Sequence, residues 1–333
     1  MGRGLNLTTS TLALGMALLP AIAHADSMVI KHAKGETILD APPRKVAIFD
    51  LASLDTIAAL GMGEVIAGVP KGEKGEFNAP AYLAQFGDAA IAGVGTLFEP
   101  DLAALTALQP DLIIIAGRSA GKYDDVKTIA PTIDMSAKGQ DFLAETVQNA
   151  TTLGQIFDRE ALAAEKVAEL TAAVEAMQAA APKDAKGIVV FAVNDNYMLH
   201  APGARFGGLL DLAGIAPVMD PHVPPPANAP RPERPAAGSP EAEAARLKQV
   251  AARDAELAKN PDWLITLDRG AISSAEPSDI ADRMARIEAF AATPAMKEGH
   301  VIHLDPRAWY LVGGGLQNML LTAEQMKAAY QAD

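Results

Sequence analysis

A stripe of apolar residues, spaced alternately three and four apart, runs through the middle of the chain. Its members are Val167, Leu170, Val174, Met177 and Ala181. This spacing places them along one side of an α-helix. Asp158 before the stripe is a favourable N-cap residue, and Pro182 after it cannot continue a helix. The pattern predicts a helix over residues 158–181, roughly 34 Å long at about 1.5 Å per residue. Such a helix can connect two lobes or serve as one crossover helix of a single sheet.

Short runs rich in β-branched residues alternate with helical stretches on both sides of this helix. In the first half the pattern predicts strands over 45–49, 65–69, 111–116 and 132–135, and helices over 50–60 and 99–109. In the second half it predicts strands over 187–193, 197–200, 262–268 and 300–304, and helices over 209–212 and 241–260. A loop over 305–315 leads into a final helix. Alternation of this kind is typical of parallel α/β units, so the expected fold class is α/β.

The N-terminus has the three parts of a secretory signal peptide. Arg3 precedes an apolar run over residues 11–23, and Ala23-His24-Ala25 fits a cleavage site for signal peptidase. A buried N-terminal helix would not require these parts in this order. We therefore expect residues 1–25 to be removed on export. Because the chain contains no cysteine, we expect neither disulfides nor a lipid anchor, and the expected location is the periplasm.

Charge and motif content exclude several classes of function. Half of the residues are hydrophobic, which indicates a globular protein, and the net charge of −13 argues against a nucleic-acid partner. The chain has no G-x-S-x-G or P-loop pattern, and Gly313-Gly314-Gly315 follows a predicted loop rather than a strand. The six histidines are scattered. The sequence therefore does not favour a hydrolase, a nucleotide-binding enzyme or a dedicated zinc receptor.

Three arginines stand where ligands gather in α/β proteins. Arg118 and Arg269 directly follow predicted strands, and Arg205 follows a glycine turn before a predicted helix. A cation near a helix N-terminus opposes the helix dipole, so Arg205 requires a reason outside the helix. Arg118 has a second interpretation as a surface residue paired with Asp124 or Asp125. If the two halves face each other, all three arginines can converge on one cleft.

Guanidinium groups suit the binding of anions better than catalysis. Each presents a rigid fork of donors to oxygen anions and stacks on aromatic rings. One charge-assisted hydrogen bond contributes roughly 1.5–3 kcal/mol, so three arginines can hold an anion despite the negative total charge. The residue inventory therefore predicts a binding protein and not an enzyme.

Four blocks of sequence resemble the periplasmic ferric-siderophore-binding proteins of ABC importers, which are class III substrate-binding proteins. The blocks contain PDLIIIAGR, GARFGG, DWLITLDR and DPRAWYLVGGG, and they span residues 99–135, 201–215, 260–272 and 304–317. They are most similar to the branch that binds catecholate iron complexes. The resemblance extends over most of the chain after residue 25.

The resemblance implies two Rossmann-like α/β lobes joined by a single long backbone helix. The expected lobes are residues 26–157 and 182–333, with the linker helix over 158–181. The second lobe would include a proline-rich loop over 221–240, in which eight of the residues are proline. A single stiff helix between the lobes implies only modest closure on the ligand.

The resemblance also implies which residues bind the ligand. By position in the matching blocks, Arg118, Arg205 and Arg269 would face the iron complex, and Tyr310 would complete the coordination of iron. A family histidine that also reaches the metal corresponds to His222. Tyr310 has an alternative interpretation as a packing aromatic residue, and His222 as a solvated loop residue.

The expected function follows from these assignments. The protein would capture an anionic, catecholate ferric siderophore as a monomer, without a cofactor of its own, and deliver it to an inner-membrane ABC permease and its ATPase. Glu99 and Asp211 are the expected docking residues for the permease. One alternative is a receptor of the same fold for haem, cobalamin or another metal chelate. The other is an exported enzyme that acts on a small acid.

Overall fold

The computed structural model of the protein describes residues 1, 27–72, 74–137, 141–224, 235–273 and 278–332. The predicted signal peptide, apart from Met1, and residues 225–234 of the predicted proline-rich loop lie outside these ranges. Within them, no helix is both long enough and apolar enough to cross a bilayer.

The described chain alternates strands and helices over most of its length. The strands are β1 (Met28–His32), β2 (Gly35–Leu39), β3 (Val46–Ile48), β4 (Ile66–Val69), β5 (Ala92–Gly93), β6 (Leu112–Ile115), β7 (Thr132–Asp134), β8 (Lys186–Val193), β9 (Asn196–His200), β10 (Ala216–Pro217), β11 (Trp263–Asp268) and β12 (Val301–Leu304). The helices are α1 (Leu51–Ala59), α2 (Leu102–Leu108), α3 (Tyr123–Val126), α4 (Phe142–Ile156), α5 (Glu160–Ala180), α6 (Gly208–Ala213), α7 (Pro240–Leu257), α8 (Ile280–Ala285), α9 (Glu288–Ala291), α10 (Pro294–Glu298) and α11 (Leu316–Gln331).

The first lobe is built on a parallel sheet. Its strand order is β5-β4-β3-β6-β7, and all residues of β3 and β6 are buried. A strand buried on both faces needs a continuous apolar run, which explains the sequence Leu-Ile-Ile-Ile in β6. Because the strands are parallel, their carboxyl ends meet at one edge of the sheet. The chain leaves β3 at that edge through Asp50 and leaves β6 there through Arg118.

The second lobe repeats this plan with one difference. The strands β10, β8, β11 and β12 are parallel and neighbours in that order, whereas β9 returns antiparallel along β8. The carboxyl end of β11 leads directly to Arg269. The chain after β12 forms one turn of π-helix over Ala308–Val312. The α/β class with two lobes is thus confirmed, whereas the lobe boundaries at residues 157 and 182 stay predictions.

The long central helix is present, but it begins later than the sequence predicts. Asp158 is not the N-cap: its φ of 53° is left-handed, and α5 starts at Glu160 after Arg159. The turn between α4 and α5 is tight, because a Cβ on Gly154 would come within 2.5 Å of the Ala163 Cβ. The buried face of α5 consists of Ala163, Leu170, Val174 and Met177.

Other sequence-based boundaries also need correction. The helix expected from residue 99 begins at Leu102, because Asp101 accepts a hydrogen bond from the Ala104 amide and caps it. The helix predicted over 241–260 runs from Pro240 to Leu257, capped by Ser239. The segment 305–315 is not simply a loop, since it contains the π-helical turn. The hairpin β1–β2 and the helix α4 were not predicted.

The C-terminal helix α11 makes a second connection between the lobes. The carboxylate of Asp55 on α1 accepts hydrogen bonds from the backbone amides of Gln317 (2.7 Å) and Asn318 (3.1 Å) at the start of α11. The Tyr82 hydroxyl donates to the same carboxylate at 2.8 Å. Gly315 allows the close approach, since a Cβ there would lie 2.5 Å from the Asp55 Cγ. A first-lobe side chain therefore caps a helix that packs against α5 and follows the second sheet in the chain.

Candidate ligand-binding site

Tyr310 lies where the two lobes meet. It is carried by the π-helical turn, and its half-buried side chain packs against the apolar cores of both lobes. Its ring stacks with that of Phe191 at a centroid distance of 6.1 Å. Single π-helical turns are rare in proteins and occur frequently at functional sites.

Three guanidinium groups surround this ring. The Cζ atoms of Arg118, Arg205 and Arg269 lie 5.1, 4.9 and 5.1 Å from the Tyr310 ring centroid. Arg205 also lies 4.7 Å from the ring centroid of Phe206. The structure thus brings together four of the residues selected from the sequence, and cation–π contact with Tyr310 connects them.

Arg118 is fixed by the π-helical turn. Its Nη2 donates to the backbone carbonyl of Tyr310, and its Nη1 donates to that of Leu311 at 3.5 Å. The alternative pairing of Arg118 with Asp124 or Asp125 does not form: no ion pair among the described residues includes Arg118, and Asp124 pairs with Lys127 at 2.6 Å. Arg118 therefore joins an end of the first sheet to the turn that carries Tyr310.

The positive charges are not neutralised by ion pairs within the part of the chain that the structure describes. None of the ion pairs found there includes Arg118, Arg205 or Arg269. Burial, followed by the charge of Arg205, lowers the pKa of the Arg118 guanidinium. The buried carboxyl group of Asp50 lies near enough to interact with Arg118, and burial raises the pKa of Asp50. The three arginines therefore have no direct ion-pair partner among the described residues, although the carboxyl groups of Asp50 and Glu145 line the same cleft.

The arginines change the acidity of the Tyr310 phenol. Burial alone would raise its pKa, but the neighbouring Arg269 guanidinium and the charges of Arg205 and Arg118 outweigh burial and lower the pKa. The guanidinium groups lower this pKa because they stabilise the phenolate, whose oxygen is anionic. Tyr310 is therefore suited to bind a hard cation through its oxygen.

His200 lies beside Arg205 and stays neutral. Burial, then the charge of Arg205, then His222 lower the pKa of His200 to about 4. Its Nδ1 accepts a hydrogen bond from the Phe206 amide at 3.3 Å. The acceptor role of Nδ1 requires this unprotonated state. His200 therefore supports the turn that carries Arg205 without adding a charge.

Arg269 extends from a turn held by a buried carboxylate. Asp268 accepts from the Gly270 amide at 3.0 Å and from the Ser278 hydroxyl at 2.6 Å, and it pairs with Arg283. Arg283 also donates to the backbone carbonyl of Asn194, in the turn between β8 and β9. This network connects the ends of β8 and β11 and fixes the segment from which Arg269 reaches Tyr310.

A cleft of about 420 Å³ opens in front of these groups. Its size is within the range of about 300–1,000 Å³ that is usual for small-molecule sites. Arg118, Arg205 and Tyr310 line it, together with apolar side chains that include Phe98, Phe206 and Trp309. Arg269 approaches Tyr310 but is not among the described lining residues.

The remaining residues selected from the sequence lie outside the cleft. His222 is exposed, and its amide donates to the Pro202 carbonyl at 2.7 Å, close to the turn that carries Arg205. Glu99 is exposed in the first lobe and pairs with Lys122 at 2.7 Å. Asp211 is exposed on α6 in the second lobe. Their roles in iron coordination and docking stay predictions.

Sequence reasoning missed one wall of the cleft. Glu145, Thr146 and Asn149 line it from α4, and the Thr146 hydroxyl donates to the Gly314 carbonyl at 2.8 Å. A signal for this helix exists, since Asp141 caps it and its apolar residues recur at helical spacing. No group of three or more histidine and carboxylate residues suitable for a metal occurs among the described residues.

Fold and cleft together define a two-lobed binding protein, and comparison with known sequences agrees. The sequence model of the family described as periplasmic binding protein matches residues 46–308. This match covers well over half of the chain. The chain therefore belongs to the periplasmic binding protein family.

Three relatives within this family are similar to the chain over most of its length. The petrobactin-binding protein YclQ of Bacillus subtilis is 30% identical over 305 residues, which cover 91% of this chain and 88% of YclQ. Its crystal structure aligns with a TM-score of 0.76 over 93% of this chain and 100% of that one. The ferric-anguibactin-binding protein FatB of Vibrio anguillarum is 27% identical over 92% of this chain and 88% of FatB. The catecholate-siderophore-binding protein VctP of Vibrio cholerae is 25% identical, with a TM-score of 0.74 over 92% of this chain and 100% of VctP.

Proposed function

We propose that this protein captures an anionic ferric siderophore of the catecholate type and delivers it to an ABC permease in the inner membrane. The observation that carries the proposal is the cluster of three guanidinium groups around Tyr310, two of which line a cleft together with it. Three relatives that match most of this chain support it: they are named as binding proteins for petrobactin, ferric anguibactin and a catecholate siderophore.

The chemistry of the site fits this ligand class. A ferric triscatecholate carries negative charge on its ring oxygens, and guanidinium groups form strong charge-assisted hydrogen bonds to such oxygens. Because no ion pair found among the described residues neutralises the arginines, a bound anion would relieve their mutual repulsion. The iron complex is cargo in this proposal, and the protein needs no cofactor of its own.

Tyr310 has a second role in the proposal. Where a siderophore leaves an iron position open, the phenolate of Tyr310 would occupy it, since the arginines lower the pKa of this phenol. His222 is the proposed second protein ligand, and it would have to move from its exposed position to reach the cleft. A tetradentate catecholate is therefore an informative ligand to test beside a hexadentate one.

The remaining parts of the proposal concern location and partners. We infer that residues 1–25 direct export to the periplasm and are then cleaved, and that the mature chain acts as a monomer. Glu99 and Asp211, exposed in opposite lobes, would contact arginines of the permease. The proposed action is binding and release, without turnover of the ligand.

Titration of the mature protein with ferric catecholate tests the proposal. Trp309 lines the cleft, so quenching of tryptophan fluorescence reports binding. Replacing both Arg118 and Arg205 by alanine should lower the affinity by well over tenfold, because each charge-assisted bond contributes roughly 1.5–3 kcal/mol. Arg286→Ala is the matched control, since Arg286 is exposed at the end of α8, and it should leave the affinity unchanged.

Three results would contradict the proposal. Equal affinity in the wild type and the double variant would remove the arginines from the mechanism. Tight binding of haem or cobalamin, with no binding of any ferric siderophore, would favour the alternative receptor of the same fold. Turnover of a small acid without tight binding would favour an exported enzyme instead.

A further inference from the structure

Phe98 is a cleft residue that the proposed function leaves unexplained. Its side chain lines the cleft, yet the residue keeps 54% of its surface exposed. The other aromatic rings that line the site are packed: Phe206 stacks with Phe191 at 5.3 Å, Trp309 meets Phe142 edge-on at 5.3 Å, and Phe49 is buried in the core of the first lobe. Phe98 belongs to none of the ring pairs found among the described residues. An apolar ring is therefore presented to the cleft without a partner.

The loop that carries Phe98 is well ordered by hydrogen bonds. The Thr96 amide donates to the Glu99 carbonyl at 2.9 Å, and the Thr96 hydroxyl accepts from the amides of Phe98 (3.3 Å) and Glu99 (3.0 Å). Gly95 has a φ of 110°, and a Cβ there would lie 2.4 Å from the Glu99 carbonyl oxygen. Only glycine adopts this conformation without a clash, so Gly95 allows the loop conformation in which Phe98 is exposed.

The same loop is connected to the arginine end of the cleft. Glu99, next to Phe98, pairs with Lys122 at 2.7 Å. Lys122 ends the short 3₁₀ turn that follows Arg118, and Arg118 lines the cleft with Phe98. An exposed ring and a guanidinium group therefore belong to neighbouring segments of the same lobe and border the same space.

We propose that Phe98 stacks on an aromatic ring of the bound iron complex and so selects aryl siderophores over iron complexes without rings. A flat ring with anionic oxygens is the ligand that matches an exposed aromatic side chain beside arginines, because the ring faces stack while the oxygens pair with the cations. This inference rests on the proposed function and specifies the substrate class of the same cleft.

Two substitutions at Phe98 separate stacking from general apolar contact. Phe98→Leu keeps an apolar side chain without a ring, and Phe98→Trp keeps a ring. With a ferric triscatecholate, Leu should weaken binding by about threefold to tenfold, the range expected for one aromatic pair, and Trp should keep the affinity of the wild type. With iron(III) citrate, or another ring-free iron complex that the wild type binds, Leu should change the affinity by less than about twofold.

Leu102→Ala is the control, because Leu102 is also an exposed apolar residue of this lobe but does not line the cleft. It should leave both affinities unchanged. Stacking by Phe98 is refuted if Phe98→Leu binds the triscatecholate as tightly as the wild type does, or if Phe98→Leu and Phe98→Trp weaken this binding equally. It is also refuted if Phe98→Leu weakens binding of the ring-free iron complex as much as binding of the triscatecholate. A wild-type protein that binds no ferric catecholate would instead refute the proposed function itself.

Discussion

At the scale of single residues, Tyr310 is the group on which the charges of the site converge. Its phenol has three guanidinium groups around its ring, and they lower its pKa against the effect of burial. Other tyrosines behave in the opposite way, since burial raises the pKa values of Tyr82, Tyr197 and Tyr330. The protein therefore treats this one phenol differently, in the direction that favours an anionic oxygen.

Replacing Arg269 tests this coupling. The difference in phenolate absorbance between the wild type and Tyr310→Phe, followed over a pH titration, isolates Tyr310. Its midpoint should lie below the usual value of about 10. In an Arg269→Gln background the midpoint should move to higher pH, because the neighbouring positive charge is lost. An unchanged midpoint would show that Arg269 does not reach the phenol in solution.

These residues differ in how far the sequence could identify them. Arg118 and Arg269 could be selected because each follows a buried strand, and the carboxyl ends of parallel strands are where ligands bind. That both reach the Tyr310 ring could not be derived from strand patterns, since Arg118 and Tyr310 are 192 positions apart in the chain. Phe98 was missed because no local pattern separates an aromatic residue of a cleft from one of a core, and His200 was missed because its role depends on its contact with the turn that carries Arg205.

At the scale of elements, the ends of strands and the turns after them build the site. The carboxylate of Asp268 at the end of β11 is held by Arg283 of α8, by Ser278 and by the Gly270 amide. Asp268 is 4% exposed at its side chain and Arg283 is 15% exposed, so this ion pair is largely removed from water. Arg269 is the next residue along the chain and depends on this anchor for its position.

Replacing Arg283 by methionine should destabilise the protein. It leaves the buried Asp268 carboxylate without its cation, which costs about 3–5 kcal/mol of unfolding free energy. Adding Asp268→Asn should recover part of the loss, because the unpaired charge is then removed. Urea unfolding measures both effects. Arg286→Met, an exposed arginine at the end of the same helix, is the control and should change stability by less than about 0.5 kcal/mol. If Arg283→Met and Arg286→Met lost the same unfolding free energy, the ion pair between Arg283 and Asp268 would not stabilise the protein.

The buried face of the central helix was predicted correctly, but its start and the π-helical turn were not. The apolar stripe of α5 was recognised, and its buried members Leu170, Val174 and Met177 lie where the spacing placed them. The start of α5 was misplaced because Asp158 adopts a left-handed conformation in the turn after α4 instead of capping the helix. The π-helical turn at Tyr310 has no sequence signature of its own, since it depends on packing against both lobes.

At the scale of the whole molecule, the two lobes are connected twice. The helix α5 lies between the two sheets in sequence, and Asp55 of α1 caps α11, which packs along α5. The Asp55 side chain is fully buried among the α11 amides and Tyr82. With two connections instead of one, we expect the lobes to move only slightly when a ligand binds.

The buried Asp55 carboxyl group should make stability depend on pH. Burial raises the pKa of Asp55 to about 6, although the hydrogen bonds from the Gln317 and Asn318 amides and the Tyr82 hydroxyl act to lower it. The negative charge of Asp50 makes a smaller contribution that also raises this pKa. The folded state then holds a proton that the unfolded chain, with a pKa near 3.9, releases. The stabilisation from this proton is complete below about pH 4 and is lost as the pH rises through about 6.

Asp55→Asn removes this titration while other groups titrate equally in both proteins. The unfolding free energy of the wild type minus that of the variant should therefore fall by on the order of 2–3 kcal/mol between about pH 4 and pH 7. Urea unfolding across this range measures the difference. A difference that is constant with pH, or that grows as the pH rises, would show that Asp55 is not a buried acid of raised pKa.

Whether the cleft binds a ferric siderophore is tested most directly by an anomalous difference map from crystals of the protein grown with a ferric triscatecholate. We predict an iron peak inside the cleft lined by Arg118, Arg205 and Tyr310, with the ring oxygens of the ligand facing the guanidinium groups. Iron bound at another surface, or a cleft that stays empty of iron at saturating ligand, would contradict this prediction.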